Sequence, residues 1–285
     1  VRWLAQLTVS GRLHAISLAV GFVILPFFTW LGAALAALVV LSKGPKEGGL
    51  VFASAMLPAL VLAQSGDRSD VIMLALAWLC SVLLWWSKSW TWVLAGLVLA
   101  GSVQNLVLPV LSESVLTLLM GQMTQLFEEL AKQNPDMQAV AMPAPDMYLG
   151  AIGASIALGV VISVMVARNM QATLYNPGGF RIEFHALRLS PQVAIVLLAM
   201  IMLLGMIGGY ANSFIPLMLI PLIVSGIALV HGSVAKKKLG GNWLVIFYIG
   251  LIIMHSLAIM LLVVLAVMDS FIDFRSRIQS QETPQ

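Results

Sequence analysis

Apolar residues in this chain come in long blocks, not at the alternating or one-face spacing of a soluble fold. Nine such segments run approximately over 14–25, 27–42, 50–64, 71–86, 90–111, 148–168, 192–210, 213–231 and 242–268. Most are near the length of about 20 apolar residues that carries a helix across a hydrocarbon core of about 30 Å. Lipid offers no partner for a peptide N–H or C=O, so a crossing segment must satisfy its own backbone, as a helix does. The pattern predicts an all-α fold: a single polytopic transmembrane helical bundle over residues 1–285. Trp30, Trp78, Trp85, Trp86, Trp90, Trp92 and Trp243 fall in or near segment ends, where indole rings sit at headgroup level.

The first two segments break the pattern. A helix rises about 1.5 Å per residue, so residues 14–25 reach only about 18 Å and cannot cross alone. Either they join 27–42 in one long kinked span, or Pro26 marks the tip of a re-entrant hairpin. Arg2 and Arg12 ahead of an apolar run also suit a secretory leader. The apolar run continues past Pro26 to Leu41 and more spans follow, which favours a retained membrane element.

Charge orients the bundle. If the spans alternate, Lys43, Lys46, Lys88, Arg168, Arg181, Arg188 and Lys236 to Lys238 share one side. The other side holds Asp67, Asp70, Glu113, Glu128, Glu129, Asp136 and Asp146, with only Arg68 and Lys132 as basic residues. Basic loops stay in the cytoplasm. A hairpin adds Arg2 and Arg12 to the basic side, so the expected arrangement is about seven full spans plus a re-entrant N-terminal helical hairpin. The same parity puts the C-terminus on the acidic side, where Arg275 and Arg277 fit poorly.

Two stretches outside the spans have patterns of their own. In 113–132, Val115, Leu119, Leu126 and Leu130 lie near one face, while Glu113, Gln122, Gln125 and Glu129 lie on the polar side. This predicts an amphipathic helix on the outer surface, ended at Asn134 and Pro135, with Pro143 and Pro145 extending the link that follows. In 176–189, Asn176-Pro177-Gly178-Gly179 reads as a turn, because Pro presets one dihedral and glycine tolerates positive φ. Residues 180–189 fit a short helix or a strand; a lone strand at a membrane surface has no partner, so the helix is preferred. The whole stretch is expected to be a cytoplasmic interfacial element.

Composition narrows the function classes. Hydrophobic residues make up 60% of the chain and charged residues 9%, with mean hydropathy +1.00; a soluble domain carries roughly 25% charged residues. The net charge of +3 is small and dispersed, which argues against nucleic acid as a partner. Cys80 is the only cysteine, so an intrachain disulfide and a multi-cysteine metal site are excluded. Phosphate-loop, His-Glu-x-x-His and Gly-x-Ser-x-Gly patterns are absent. No catalytic residue, cofactor or metal site is assigned.

The remaining candidates each have a sharp and a plain reading. Asn176, Gly178, Gly179, Arg181, Glu183 and Arg188 make either a cytoplasmic anion or partner site, with glycine N–H groups and arginines holding phosphate or carboxylate, or a turn whose arginines meet anionic lipid. Gln104, Asn105, Asn212 and His255 are polar groups inside or at the seams of spans. They contact a ligand if they face a cavity, and otherwise join helices. Asp269 and Asp273 are four apart, on one face at a helix end. They make a cation site or an intramembrane aspartyl pair, or simply a solvated, capped helix end.

Three strings carry a family resemblance. Asn176-Pro177-Gly178-Gly179-Phe180-Arg181-x-Glu183-Phe184 leads into Leu187-Arg188-Leu189; Asp269-x-x-x-Asp273-Phe274-Arg275 closes the chain; Gly11-Arg12-Leu13 opens a Pro-interrupted apolar pair. Together they resemble the YybS-like family of bacterial membrane proteins over nearly the whole chain. The resemblance implies a multi-pass protein of the bacterial inner membrane. That family's function is uncharacterised; its hydropathy is similar to that of the substrate-binding membrane components of energy-coupling-factor transporters, a likeness at fold level only.

Two functions follow as expectations. One is a transport-related component that binds a small solute near the bilayer midplane and works with partner subunits. The other is a non-catalytic membrane scaffold for cell-envelope or cytoplasmic partners. Convergence of Gln104, Asn105, Asn212 and His255 on one cavity favours transport; their dispersal into separate helix contacts favours the scaffold.

Overall fold

The computed structural model describes residues 1–111, 113–133 and 145–277, and the elements among them are all helical. The N-terminal part forms α1 (Arg2–Ser10), α2 (Arg12–Ile24), α3 (Thr29–Lys43), α4 (Pro45–Leu62) and α5 (Ser69–Ser87). Then come α6 (Trp90–Leu111), α7 (Glu113–Gln133) and α8 (Pro145–Tyr175). The C-terminal part comprises α9 (Gly179–Ala186), α10 (Pro191–Ile207), a 3-10 turn over Gly209–Phe214, α11 (Ile215–Lys236), α12 (Asn242–Ile253), α13 (His255–Ile272) and the single turn α14 (Phe274–Arg277). By length and composition six helices can cross a bilayer, or seven if α9 and α10, bent by 61°, count as one broken span. The expected all-α polytopic bundle is therefore the observed fold.

Helices α2 and α3 form the hairpin expected around Pro26. They have 13 and 15 residues, about 20 and 22 Å. The chain reverses between Leu25 and Phe28, with Phe27 at φ 68° and almost fully exposed. Gly32 on α3 lies so close to α2 that a Cβ there would stand 2.8 Å from Ala19 O. At the other end Arg12 Nη2 donates to Glu47 Oε1 at 2.6 Å, which joins the start of α2 to the start of α4 and places Lys43 nearby.

The second arm of this hairpin is the centre of the molecule. From Gly32 to Leu41 every residue of α3 is buried, enclosed by α2, α4, α5 and α8. The reason lies in its composition: Gly32, Ala33, Ala34, Ala36 and Ala37 leave little side chain to hold neighbours apart. Lipid tails are as apolar as leucine, so helices in a bilayer associate through close packing rather than burial from water. Gly48 on α4 takes this furthest, since a Cβ there would meet Val40 N at 2.6 Å. Side chains of α3 thus fill the axis of the bundle.

The C-terminal region departs from the expected topology. Segment 242–268 is not one crossing: its helix breaks at Met254, with φ −111° and ψ 37°. α12 leaves the end of α11 with Tyr248 beside His231. α13 then runs parallel to α11, with Leu262 against Gly226 and Arg275 against Gly232. Lys236 Nζ donates to Arg275 O at 2.6 Å, so α11 and α13 finish at the same end. Parity failed because it let every apolar segment cross once, and the 12 residues of α12 reach only about 18 Å. Arg275 therefore joins the other basic residues, removing the conflict with the charge rule. This basic end gathers Arg12, Lys43, Lys88, Arg168, Arg181, Arg188, Lys236 and Arg275 through direct contacts or shared cavities.

At the opposite end α7 spans Glu113–Gln133, close to the expected amphipathic helix 113–132. Leu118, Leu119, Leu126 and Leu130 remain exposed. The expected helix stop at Asn134 and Pro135, and Pro143, lie outside the described residues.

Candidate functional site

The turn before α9 is built as its sequence suggests. Asn176 O accepts from Gly179 N at 2.9 Å. Gly178 sits at φ 85°, a left-handed conformation that glycine adopts without a Cβ penalty. Gly179 is needed for space instead: a Cβ there would lie 2.3 Å from Asn176 Nδ2. The helical alternative holds for the residues that follow, and Phe180 and Phe184 stack with centroids 5.8 Å apart.

Both ends of α9 are tied down. Glu183 makes a two-pronged ion pair with Arg168 of α8, one contact being Arg168 Nε to Oε2 at 3.0 Å. Arg168 also donates to Gln171 Oε1 at 2.8 Å, and Gln171 reaches back to Leu41 O on the central helix. At the C-terminal end the last carbonyls of a helix lack intrahelical donors. Arg275 supplies them: its Nη1 donates to His185 O and its Nη2 to Leu187 O, each at 2.8 Å. A cation is also favoured there by the helix dipole.

Asp269 and Asp273 complete this latch. Asp269 is 2% exposed. Its Oδ1 accepts from Phe274 N at 2.9 Å, and its Oδ2 lies 3.5 Å from Arg275 Nη2. Asp273 pairs with Arg188 at 3.2 Å. Burial pulls the Arg275 guanidinium below its usual pKa, while Asp269 and Asp273 push it the other way. Gly232 makes room, because a Cβ on it would stand 2.9 Å from His185 O. The two strings separated by about 90 residues thus meet in one network, with Arg188 and Glu183 both engaged inside the chain. Arg181 differs: it is exposed and makes no ion pair among the described residues.

Gln104 and Asn105 are used in contacts between helices. Asn105 Nδ2 donates to Ser213 O at 2.9 Å, Gln104 Nε2 to Gly153 O at 3.1 Å, and the Tyr210 hydroxyl to Asn105 O at 2.6 Å. These bonds join α6, α8 and the Gly209–Phe214 turn. Gly153 carries the contact, since a Cβ there would meet Asn105 Oδ1 at 1.9 Å. Asn212 is half-buried in the same turn, and its neighbour supplies the carbonyl. His255 is exposed, at the first position of α13. None of the four is among the residues that line five cavities found among the described residues.

One mixed polar and apolar cavity of about 400 Å³ opens at the basic end between α9, α11 and the start of α12. Phe180, Arg181, Phe184, His185, His231 and Leu244 line it. The imidazoles of His185 and His231 lie 6.3 Å apart, and His231 Nε2 is 2.8 Å from the Tyr248 hydroxyl. Among the described residues, no group of three His, Cys, Asp or Glu side chains suits a metal ion. His231 and Tyr248 escape the sequence reading because each stands alone in an apolar run. Their one signal is position: both lie near span ends that flank the Lys236 to Lys238 turn. No family model, curated protein or solved structure matches the chain.

Proposed function

We propose that the chain is a non-catalytic membrane scaffold whose basic end offers a fixed docking surface to protein partners. What carries this reading is how the polar groups are used. Gln104 and Asn105 join helices, α3 fills the axis, and the ionic network of Arg168, Glu183, Asp269 and Arg275 holds α9 in place. On that element Arg181 is exposed beside Ile182, itself 72% exposed, a charged and apolar pairing of the kind that anchors interfaces. The positive-inside rule puts this end in the cytoplasm, and the YybS-like resemblance suggests the bacterial inner membrane. The partners are then the bilayer and membrane or cytoplasmic protein subunits.

A photo-crosslinking amino acid at Ile182 in living cells tests the reading. A discrete protein adduct is expected, and it should disappear when Arg181→Glu and Lys237→Glu are added. If position 182 yields only lipid adducts, the docking surface is not there.

A small-solute-binding, transport-related component is the second reading. The interrupted elements at Leu25–Phe28, between α9 and α10, and at Met254 favour it, since broken helices build solute sites in membranes. The cavity at the basic end favours it too.

A further inference from the structure

We infer that the cavity between α9, α11 and α12 binds a small amphiphilic anion: a carboxylate or phosphate carried on a short apolar body. The inference rests on the solute-binding reading and shares Arg181 with the docking reading. At about 400 Å³ the cavity falls in the range of about 300–1,000 Å³ typical of small-molecule sites.

Its lining combines two chemistries. Arg181 and the imidazoles of His185 and His231 are among the lining residues, and no carboxylate is. The one acid on α9, Glu183, is held by Arg168, so it does not neutralise Arg181. The planar guanidinium fork matches a carboxylate or phosphate edge. The stacked rings of Phe180 and Phe184 line it too, with Leu239 and Leu244. Leu239 and Gly241, from the turn after α11, complete the lining. A neutral apolar ligand would cover the arginine without pairing it. A bare inorganic anion would pair the arginine but leave the aromatic rings wet. An anion with an apolar body satisfies both.

That chemistry has two sources at a membrane surface: a free acid from solution, or an anionic lipid headgroup with the start of its chain. The probes are octanoate and its neutral counterpart octan-1-ol. They are titrated against the full chain in phosphatidylcholine nanodiscs, with binding of labelled ligand as the readout.

Octanoate should bind saturably and octan-1-ol much more weakly. Arg181→Gln should cost about tenfold in octanoate affinity, the worth of one charge-assisted hydrogen bond, while Lys46→Gln leaves it unchanged. In nanodiscs containing phosphatidylglycerol, a fall in octanoate affinity that Arg181→Gln removes identifies the headgroup as the occupant. Unchanged affinity identifies a free acid. Equal binding of octanoate and octan-1-ol, or an unaffected Arg181→Gln, would overturn the anion assignment while keeping a solute site. No saturable binding of either probe would remove the solute reading as well.

Discussion

Arg275→Ala should destabilise the folded chain by about 3–5 kcal/mol, the range for breaking one side of a buried ion pair. The loss has three parts. Asp269, 2% exposed, would lose the cation beside it. The carbonyls of His185 and Leu187 would lose their donors. The C-terminal end of α9 would lose its capping charge. Arg275→Lys should recover only part, since one ammonium cannot reproduce the fork that serves two carbonyls and a carboxylate. Unfolding by denaturant in detergent micelles measures the loss. Hydrogen exchange over 179–187 localises it, because release of the latch should deprotect α9 while leaving α3 protected. Wild-type stability in Arg275→Ala would mean the network contributes nothing.

Gly48→Ala should cost about 2–3 kcal/mol, toward the upper part of the range for overpacking a close contact. The added Cβ would stand 2.6 Å from Val40 N and 2.7 Å from Val40 Cα. These are backbone atoms of the central helix, which cannot swing aside as a side-chain tip can. Separation of α3 and α4 would propagate to α2, α5 and α8, all packed on α3. Gly21→Ala is the matched control: nothing lies within 4 Å of its Cβ, and replacing a helical glycine with alanine gains about 0.5–1 kcal/mol. Parallel denaturation curves should move in opposite directions. A neutral Gly48→Ala would show that α3 and α4 are not in such close contact.

The legible parts of this fold were those written in local pattern. Blocks of apolar residues identify the helical bundle, Pro26 marks its hairpin, and Asn176-Pro177-Gly178-Gly179 marks the turn into α9. Each depends on neighbouring residues, so the sequence displays the cause directly. Contacts between distant elements were not legible. Arg275 reads as a misplaced charge under a parity count, because its partners His185 and Leu187 are about 90 residues away. Nor does hydropathy separate a 12-residue apolar helix that turns back from one half of a span, and that ambiguity misplaced the C-terminus. The central position of α3 did leave a signal in Gly32, Ala33, Ala34, Ala36 and Ala37. A helix so poor in bulk suits enclosure on every side. For the candidate site, the singled-out strings contained the right residues, yet most of them act inside the molecule. Arg181 is left exposed, with no acid partner among the described residues.

The central claim is that the α9 element and the end of α13 meet on one end of the bundle. A short bifunctional thiol reagent tests it on Arg188→Cys with Asp273→Cys, in a Cys80→Ser background and in membranes. The two native side chains pair at 3.2 Å, so an intramolecular cross-link should form readily, visible as a shift in mobility or an intact-mass addition bridging both positions. If each single cysteine is labelled by a monofunctional reagent but the pair never cross-links, the two ends are apart and the account is wrong.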